Sequence, residues 1–227
     1  MLQDSLFMES EGDHWFERNR SALYGFDAAA DWPLKLIDLY ALRPESVLEI
    51  GAANGFRLAA LHNRSGARVV AVKPAAQAIR DGRASFPFVT FVRGTAHAVP
   101  LQERFDLVIV NFVFHWIDRA YLLRSVAEVD RLVADGGYLI VGDFYPSNRI
   151  CVPHHDRISE LIYLYKQNYA DVFLALGLYH LAGLLSGSQA TQTLAARVAE
   201  SERIGAWLLR KESREHYLSF GVSSHGG

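Results

Sequence analysis

The sequence predicts an α/β fold built on a doubly wound, Rossmann-like sheet, and two observations support that prediction. Between residues 46 and 144, apolar runs of strand length alternate with amphipathic stretches of helix length. A parallel sheet that is covered by helices on both faces produces this pattern. The chain has 227 residues, which suits one core of this size and is short for two. We expect a single domain, residues 1–227, whose sheet has about seven strands, mostly parallel, with an antiparallel edge.

Two helical segments precede the core. Residues 8–24 combine aromatic and charged side chains in an amphipathic pattern. Residues 33–42 begin with a proline, which is favoured in the first turn of a helix. We expect residues 1–45 to form a helical lid over the core.

The core, residues 46–144, is predicted to contain five strands and three helices. The expected strands are 46–50, 68–72, 88–92, 107–111 and 138–141, and the expected helices are 56–64, 75–83 and 119–134. Residues 134–137, Ala-Asp-Gly-Gly, are interpreted as the C-terminal cap of the last helix.

After this core the alternation stops, and residues 145–169 are polar and aromatic. Residues 204–209 are the best late strand, and we expect them to pair antiparallel with residues 178–181 at one edge of the sheet. Residues 187–192 are interpreted as a loop, and the last five residues as a frayed tail. The segment 145–227 is therefore expected to supply the substrate side of a site and the edge strands.

The net charge and the cysteine content limit which binding partners and which cellular compartment are expected. The formal net charge of −2 gives no general attraction to nucleic acid or to an anionic membrane. Cys151 is the only cysteine, which excludes an intramolecular disulfide and fits a reducing compartment. The acidic start shows no secretory signal, and the most apolar tract, residues 172–185, is shorter than the ~20 residues of a membrane helix. We expect a cytoplasmic protein that binds a small molecule, with no nucleic-acid or membrane partner and with a homodimer left open.

A run of small residues follows the first predicted strand: Glu49-Ile50-Gly51-Ala52-Ala53-Asn54-Gly55. Small side chains let a ligand approach the backbone, and the first turn of the next helix presents unpaired N–H groups. A tight strand-to-helix connection without a ligand would look the same, so the surrounding motifs have to decide.

The stretch VLEIGAANG (47–55) resembles motif I of the class I S-adenosylmethionine-dependent methyltransferases, in particular of their type 11 group. It keeps the acid and the outer glycines of that motif and has Ala53 at the middle one. Four further segments resemble later landmarks of the family, in the same order: VVAVKP (69–74), GTAHAVPL (94–101), RFDLVIVNFVFHWI (104–117) and EVDRLVADGGYLIVGDF (128–144). Segments 9–19 and 154–173 are similar to members found with polysaccharide and sugar biosynthesis.

The resemblance implies S-adenosylmethionine as the cofactor and residues 46–144 as its binding core. Glu49 would orient the methionine part, Thr95 and Ala96 would lie near the adenine, and Asn111 and Phe112 would flank the methionine. The implied cofactor-binding residues are Trp15, Arg18, Asn19, Glu49, Gly51, Ala52, Ala53, Gly55, Lys73, Pro74, Thr95, Ala96, Asn111, Phe112 and Trp116.

Lys73 departs from the family, which usually has an acid there to accept hydrogen bonds from the ribose hydroxyls. An ammonium has three donors and no acceptor. Three interpretations follow. Lys73 points to solvent or meets a carboxylate while ordinary cofactor binds; or it meets an anion, so that the preferred cofactor is phosphorylated on the ribose; or the site has lost its cofactor. The second follows dinucleotide-binding folds, where a basic residue at this place accommodates a phosphate.

The predicted function is methyl transfer to an O- or N-nucleophile of a small molecule, such as a sugar or a nucleotide-linked metabolite. His115, just past the fourth strand, is the candidate catalytic base. His154, His155, Tyr165 and Lys166 are the candidate substrate-binding residues, and no metal site is expected. Two alternatives stay open, an NADP-dependent oxidoreductase and a non-catalytic binding protein with the methyltransferase fold.

Overall fold

The structure is a computed structural model that describes residues 3–154 and 162–213. Its strands are β1 (Ser46–Ile50), β2 (Arg68–Lys73), β3 (Thr90–Arg93), β4 (Phe105–Asn111), β5 (Val133–Phe144), β6 (Ile150–Pro153), β7 (Tyr163–Lys166), β8 (Tyr179–Ser188) and β9 (Arg203–Lys211). Its α-helices are α1 (Gln3–Leu6), α2 (Gly12–Tyr24), α3 (Trp32–Leu39), α4 (Phe56–Ser65), α5 (Ala76–Ser85), α6 (Leu122–Leu132) and α7 (Ala170–Ala175). A π-helical segment, Phe7–Glu11, joins α1 to α2, and a 3-10 turn, Phe114–Trp116, follows β4. No helix in these ranges is long and apolar enough to cross a bilayer.

Seven strands form one sheet in the order β3-β2-β1-β4-β5-β9-β8. The first five are parallel to one another, whereas β9 runs antiparallel between β5 and β8. The predicted fold class is therefore confirmed. The predicted partner of the late strand was too short, because β8 extends to Ser188, into the segment expected to be a loop.

The central strands are apolar through most of their length because both faces of the sheet are covered. Val70 and Val72 belong to one buried cluster, and their neighbours Val69 and Ala71 belong to the other. This alternation is the two-residue period of a strand, with one residue in each layer. Helices on both faces bury both layers, as in doubly wound sheets.

The glycine cap expected at the end of the long helix was wrong. The helix ends at Leu132, and Val133 already pairs with Phe105, so the two glycines lie inside β5. Gly136 has φ 78°, and a Cβ on Gly137 would lie 3.0 Å from the carbonyl oxygen of Asp106. The glycines allow a register shift next to β4, which a local helix-capping rule does not foresee.

Part of the aromatic segment after β5 forms a second, two-stranded sheet, in which β6 and β7 pair antiparallel. Gln3 attaches this hairpin to the turn after β4. Its Nε2 donates to the carbonyl oxygens of Trp116 at 2.6 Å and Tyr163 at 2.8 Å. The N-terminal helix and the hairpin thus enclose the turn after β4 together.

Helix α2 docks on α5 through both polar and apolar contacts. The Asp13 carboxylate accepts a hydrogen bond from the backbone N–H of Gln77, in the first turn of α5, at 2.8 Å. The Tyr24 hydroxyl donates to Asp81 at 2.7 Å, and Phe16 packs in a small buried cluster. These contacts place α2 beside the carboxyl end of β2.

Candidate functional site

A cavity of about 440 Å³ lies at the carboxyl ends of β1, β2 and β4. Its volume is in the ordinary range of small-molecule sites, about 300–1,000 Å³, and its place is where open α/β sheets bind ligands. The lid helices, the turn after β1 and the beginning of β9 complete its wall. The predicted residues that line it are Trp15, Glu49, Gly51, Ala52, Ala53, Lys73, Pro74, Thr95, Ala96, Asn111, Phe112 and Trp116.

Three residues assigned to the cofactor do not line the cavity. Gly55 begins α4 with φ 90°, and a Cβ there would lie 2.8 Å from the Phe91 ring, so its small size serves packing. Arg18 pairs with Glu11 at 2.5 Å, and Asn19 donates to the carbonyl oxygen of Trp15 one turn earlier on α2. The side of α2 that carries Trp15 faces the cavity. The sequence predicts the helix but not which of its sides faces the cavity.

The candidate substrate residues also lie off the cavity wall. His154 packs behind Trp116, with ring centroids 4.9 Å apart, and Tyr165 lies on β7. The Lys166 ammonium donates to the carbonyl oxygen of Ser201 at 3.1 Å and lies 3.9 Å from the centroid of the Phe144 ring. None of these three side chains therefore lines the cavity. His155 lies outside the described residues.

The turn after β1 is shaped by residues with left-handed backbone. Gly51 has φ 80°, and a Cβ on it would lie 2.2 Å from Val113. Ala53, at the position of the family's middle glycine, adopts φ 47°, a conformation that costs a non-glycine residue about 1–2 kcal/mol. Such strain persists only where the surrounding structure enforces it, and it is frequent at binding sites.

Glu49 lies in the wall of the cavity, at the end of β1. Its side chain is buried, and the Nη1 of Arg57 bonds to its Oε1. Its Oε2 has no hydrogen-bond partner among the described residues. Burial raises the pKa of the Glu49 carboxyl, and the Arg57 guanidinium opposes that rise. A ligand ammonium could satisfy Oε2, so the site fits the methionine end of S-adenosylmethionine.

Arg57 and Asp31 belong to the cavity wall and were not predicted from the sequence. The Nη2 of Arg57 contacts the Oδ2 of Asp31 at 2.7 Å, while Nη1 holds Glu49. Asp31 also caps α3 by accepting from the N–H of Leu34. The sequence did contain one indication of this role. An arginine in the first turn of a helix interacts unfavourably with the helix dipole, which suggests that nearby carboxylates stabilise it.

Lys73 is buried at the end of β2, with 8% of its surface exposed, and does not point to solvent. Its ammonium lies 4.5 Å from the centroid of the Trp15 ring. Burial lowers the pKa of Lys73 to about 8, although the carboxylates of Glu49 and Asp13 counteract this. No hydrogen bond or ion pair to the ammonium is formed by the residues 3–154 and 162–213. Lys73 therefore brings unpaired donors to the cavity.

His115 is held by an acid directly behind the cavity wall. Its Nδ1 lies 2.9 Å from the Oδ1 of Asp143, and its backbone N–H donates to the Oδ2 of the same carboxylate at 3.2 Å. Both residues are buried. An imidazole that donates its Nδ1–H to Asp143 presents Nε2 as an acceptor. His115 itself does not line the cavity, but its neighbours Phe112 and Trp116 do.

The sheet order is that of a Rossmann-like methyltransferase fold, and comparisons with known proteins agree on the fold. A family model described as a methyltransferase domain matches residues 48–141, less than half of the chain. Within the described ranges, no cluster of three or more His, Cys, Asp or Glu residues could hold a metal ion.

Curated relatives match the chain over part of its length. An uncharacterised methyltransferase of Mycobacterium tuberculosis is 36% identical over 110 residues, which are 48% of this chain and 44% of the relative. An uncharacterised methyltransferase of Synechocystis is 32% identical over 40% of this chain and 43% of its own length. The chain thus spans less than half of these relatives.

Solved structures share the fold over most of the chain. A 1,6-didemethyltoxoflavin-N1-methyltransferase from Burkholderia thailandensis, with bound 1,6-didemethyltoxoflavin and S-adenosylhomocysteine, has a TM-score of 0.70 at 16% identity, covering 92% of this chain and 88% of its own. The N-methyltransferase NodS from Bradyrhizobium japonicum, in complex with S-adenosylhomocysteine, has a TM-score of 0.59 at 16% identity, covering 86% and 87%.

Proposed function

We propose that the protein transfers a methyl group from S-adenosylmethionine, or from a ribose-phosphorylated analogue, to an O- or N-nucleophile of a small molecule. The observation that carries this proposal is the buried Glu49 carboxylate in the cavity wall beside the strained glycine turn, because one of its oxygens has no hydrogen-bond partner among the described residues. The methyltransferase domain match and the S-adenosylhomocysteine bound to two proteins of the same fold support the choice of cofactor.

The residues would hold the cofactor by its charged and polar parts. Glu49 Oε2 would accept a hydrogen bond from the methionine ammonium, and the small residues of the turn would let the cofactor approach the backbone. Thr95 and Ala96 would lie against the adenine. The bound sulfonium would supply the methyl group, so the protein has mainly to align the acceptor and exclude water.

Lys73 would select the substituent on the ribose. A buried ammonium without a hydrogen-bonded partner is costly, and a phosphate would compensate it. Its position also fits the 2′-phosphate of NADP, which keeps the oxidoreductase alternative open. A binding measurement with all three compounds distinguishes these cases.

The acceptor would carry a hydroxyl or an amine, and the classes expected from the sequence are a sugar and a nucleotide-linked metabolite. A hydroxyl loses its proton during transfer, and His115, oriented by Asp143, is the group proposed to take it. This requires Phe112 or Trp116 to move aside when the acceptor binds, because His115 lies behind the cavity wall that they form. An amine acceptor would use the same cavity and would need less help from a base.

Titration calorimetry with S-adenosylmethionine, its 2′-phosphorylated analogue and NADPH tests the proposal. A charge-assisted hydrogen bond contributes about 1.5–3 kcal/mol, so the phosphorylated analogue should bind about 10 to 100 times more tightly than the plain cofactor. This advantage should shrink as the pH rises above about 8, because Lys73 then loses its charge.

Lys73→Asp should reverse the preference, and Lys35→Asp, on α3 and off the cavity wall, should leave it unchanged. If plain S-adenosylmethionine binds tightly and Lys73→Asp does not alter its affinity, the selective role of Lys73 is wrong. Binding of NADPH alone would favour the oxidoreductase. Failure of every adenosyl compound to bind would leave the non-catalytic alternative.

A further inference from the structure

The cavity has two ends with different chemistry. One end lies at the carboxyl ends of β2 and β3, beneath α2, and contains Lys73 and Trp15. The other end lies between the beginning of α3 and the beginning of β9, and contains Trp32 and Ile204. The unpaired oxygen of Glu49 lies on the wall between them, at the end of β1.

Resting on the proposed function, we infer that the end between α3 and β9 is the acceptor subsite and that it takes an uncharged ring compound. The cofactor's adenosine would occupy the end at Lys73 and its methionine the region of Glu49. The methyl group would then be transferred toward the remaining end. This subsite differs from the hairpin of β6 and β7, where the sequence placed the substrate residues.

The charges of the cavity argue for an uncharged acceptor. Among the described residues, four ionisable side chains line the cavity: Asp31, Glu49, Arg57 and Lys73. Asp31 and Arg57 lie at the α3 end and pair through contacts of 2.7 Å and 3.0 Å, and Arg57 also holds Glu49, so these three groups together carry one negative charge. Asp31 and Arg57 are largely buried, with side-chain exposures of 8% and 14%. The methionine ammonium would compensate the remaining charge of Glu49, so the described residues leave no charge at this end for an ionised acceptor, and burying an unpaired charge is costly.

The side chains at the α3 end of the cavity can contact both the flat face and the polar edge of an acceptor ring. Trp32 is buried, and with Phe26, Phe112 and Ile204 it forms a largely apolar and aromatic wall. Aromatic side chains bind flat faces by stacking. A few polar groups in a mostly apolar pocket are what orient a ligand.

Two glutamines supply polar groups at the mouth of this end. The indole N–H of Trp32 donates to the carbonyl oxygen of Gln192 at 3.4 Å, and the Gln192 side chain donates to the carbonyl oxygen of Gln189 at 2.8 Å. Both glutamines are exposed on the connection between β8 and β9. The Gln189 amide, which offers a donor and an acceptor, can thus reach the polar edge of an entering ring.

Nuclear magnetic resonance of the ¹⁵N-labelled full chain, saturated with S-adenosylhomocysteine, tests both the location of the acceptor subsite and its preference for uncharged compounds. The indole N–H signal of Trp32 reports on the subsite, and Trp32→Phe assigns it. The uncharged probes are 8-hydroxyquinoline and methyl glucoside, and the charged probes are 8-hydroxyquinoline-5-sulfonate and uridine diphosphate glucose. We expect at least one uncharged probe to shift the Trp32 signal at millimolar concentration, and each charged probe to bind at least about ten times more weakly.

The two uncharged probes distinguish an aromatic heterocycle from a sugar. Gln189→Trp, which places a bulky ring at the mouth, should weaken the uncharged probe about tenfold, and Gln102→Trp, on an exposed loop away from the cavity, should not.

Charged probes that bind as well as uncharged ones would overturn the inference. The inference would also be overturned if the uncharged probes leave the Trp32 signal unchanged, either because they bind at the β6 and β7 hairpin or because they do not bind at all. If S-adenosylhomocysteine itself does not bind, the result contradicts the proposed function rather than the acceptor subsite. Saturation with that ligand therefore distinguishes failure of the proposed function from failure of the acceptor-subsite inference.

Discussion

At the residue scale, the site depends on charged groups whose partners come from distant parts of the chain. Arg57 connects Glu49, at the end of β1, to Asp31, at the beginning of α3. Removing one partner of a buried ion pair leaves the other partner uncompensated, which costs more than the pair is worth. Arg57 therefore sets both the stability of the cavity wall and the direction of the free Glu49 oxygen.

We expect Arg57→Met to lower the free energy of unfolding at neutral pH by about 3–5 kcal/mol, because two carboxylates lose their shared cation. Urea titrations measure this change. Burial already raises the pKa of Glu49, and losing Arg57 raises it further. The folded state then binds a proton more tightly than the unfolded state, so acidification should restore part of the lost stability.

Arg64→Met is the matched control, since Arg64 lies on the same helix, α4, and pairs with Asp38 in an exposed contact of 3.1 Å. Its cost should stay within about 1 kcal/mol and should not depend on pH in the same way. Equal costs for the two variants would contradict the structural role of Arg57.

His115 yields a second prediction at this scale. As the base for a hydroxyl acceptor, His115→Asn should lower kcat about 100-fold or more, because general bases contribute about 10²–10⁴-fold. The dissociation constant of S-adenosylhomocysteine should change little. Asp143→Asn should also lower kcat, because Asp143 orients the imidazole. If His115→Asn lowers the melting temperature and retains kcat, His115 is a packing residue.

At the scale of elements, the position of α2 decides which of its side chains reach the ligand. Asp13 on α2 caps the first turn of α5 from outside, and Trp15 follows it on the cavity side. The capping contact thus fixes the lid next to the end of β2, where Lys73 lies. Arg18 and Asn19, on other sides of the same helix, remain off the cavity.

Asp13→Ala should lower the free energy of unfolding by about 1 kcal/mol, the usual cost of losing a helix-capping side chain. It should also weaken binding of S-adenosylhomocysteine, because the lid loses an attachment beside the cavity. Urea titration and calorimetry measure the two effects. Glu17→Ala, which removes only an exposed contact of 3.9 Å to Arg20, is the control and should change neither quantity appreciably. Unchanged cofactor affinity in Asp13→Ala would show that the lid does not contribute to binding.

At the scale of the whole molecule, the parallel sheet gathers into one cavity residues as far apart in the chain as Trp15 and Ile204. Strand order does this, because β1 lies between β2 and β4 and their carboxyl ends share one edge. The antiparallel β9 begins at the same edge, and its first residues close the end proposed for the acceptor. The sheet thus places twelve of the fifteen predicted cofactor residues on one cavity, although no local pattern links them.

The alternation of apolar runs and helices was enough to predict the fold class, because strands buried on both faces have to be apolar throughout. The tight turn after β1 was also predictable, since the apolar strand is followed directly by a run of small residues. Lys73 was recognised as unusual because the family that the sequence resembles usually has an acid at that position. These features depend on residues close to one another in the chain, which is why the sequence by itself determined them.

Only the tertiary structure decided which side chains line the cavity. It brought Asp31 and Arg57 into the cavity wall, left the β6 and β7 hairpin outside it, and buried Lys73 beneath Trp15. It also placed two glycines inside β5 rather than at a helix end. The orientation of a helix and the register of a strand depend on packing between distant segments, and no local periodicity contains that information.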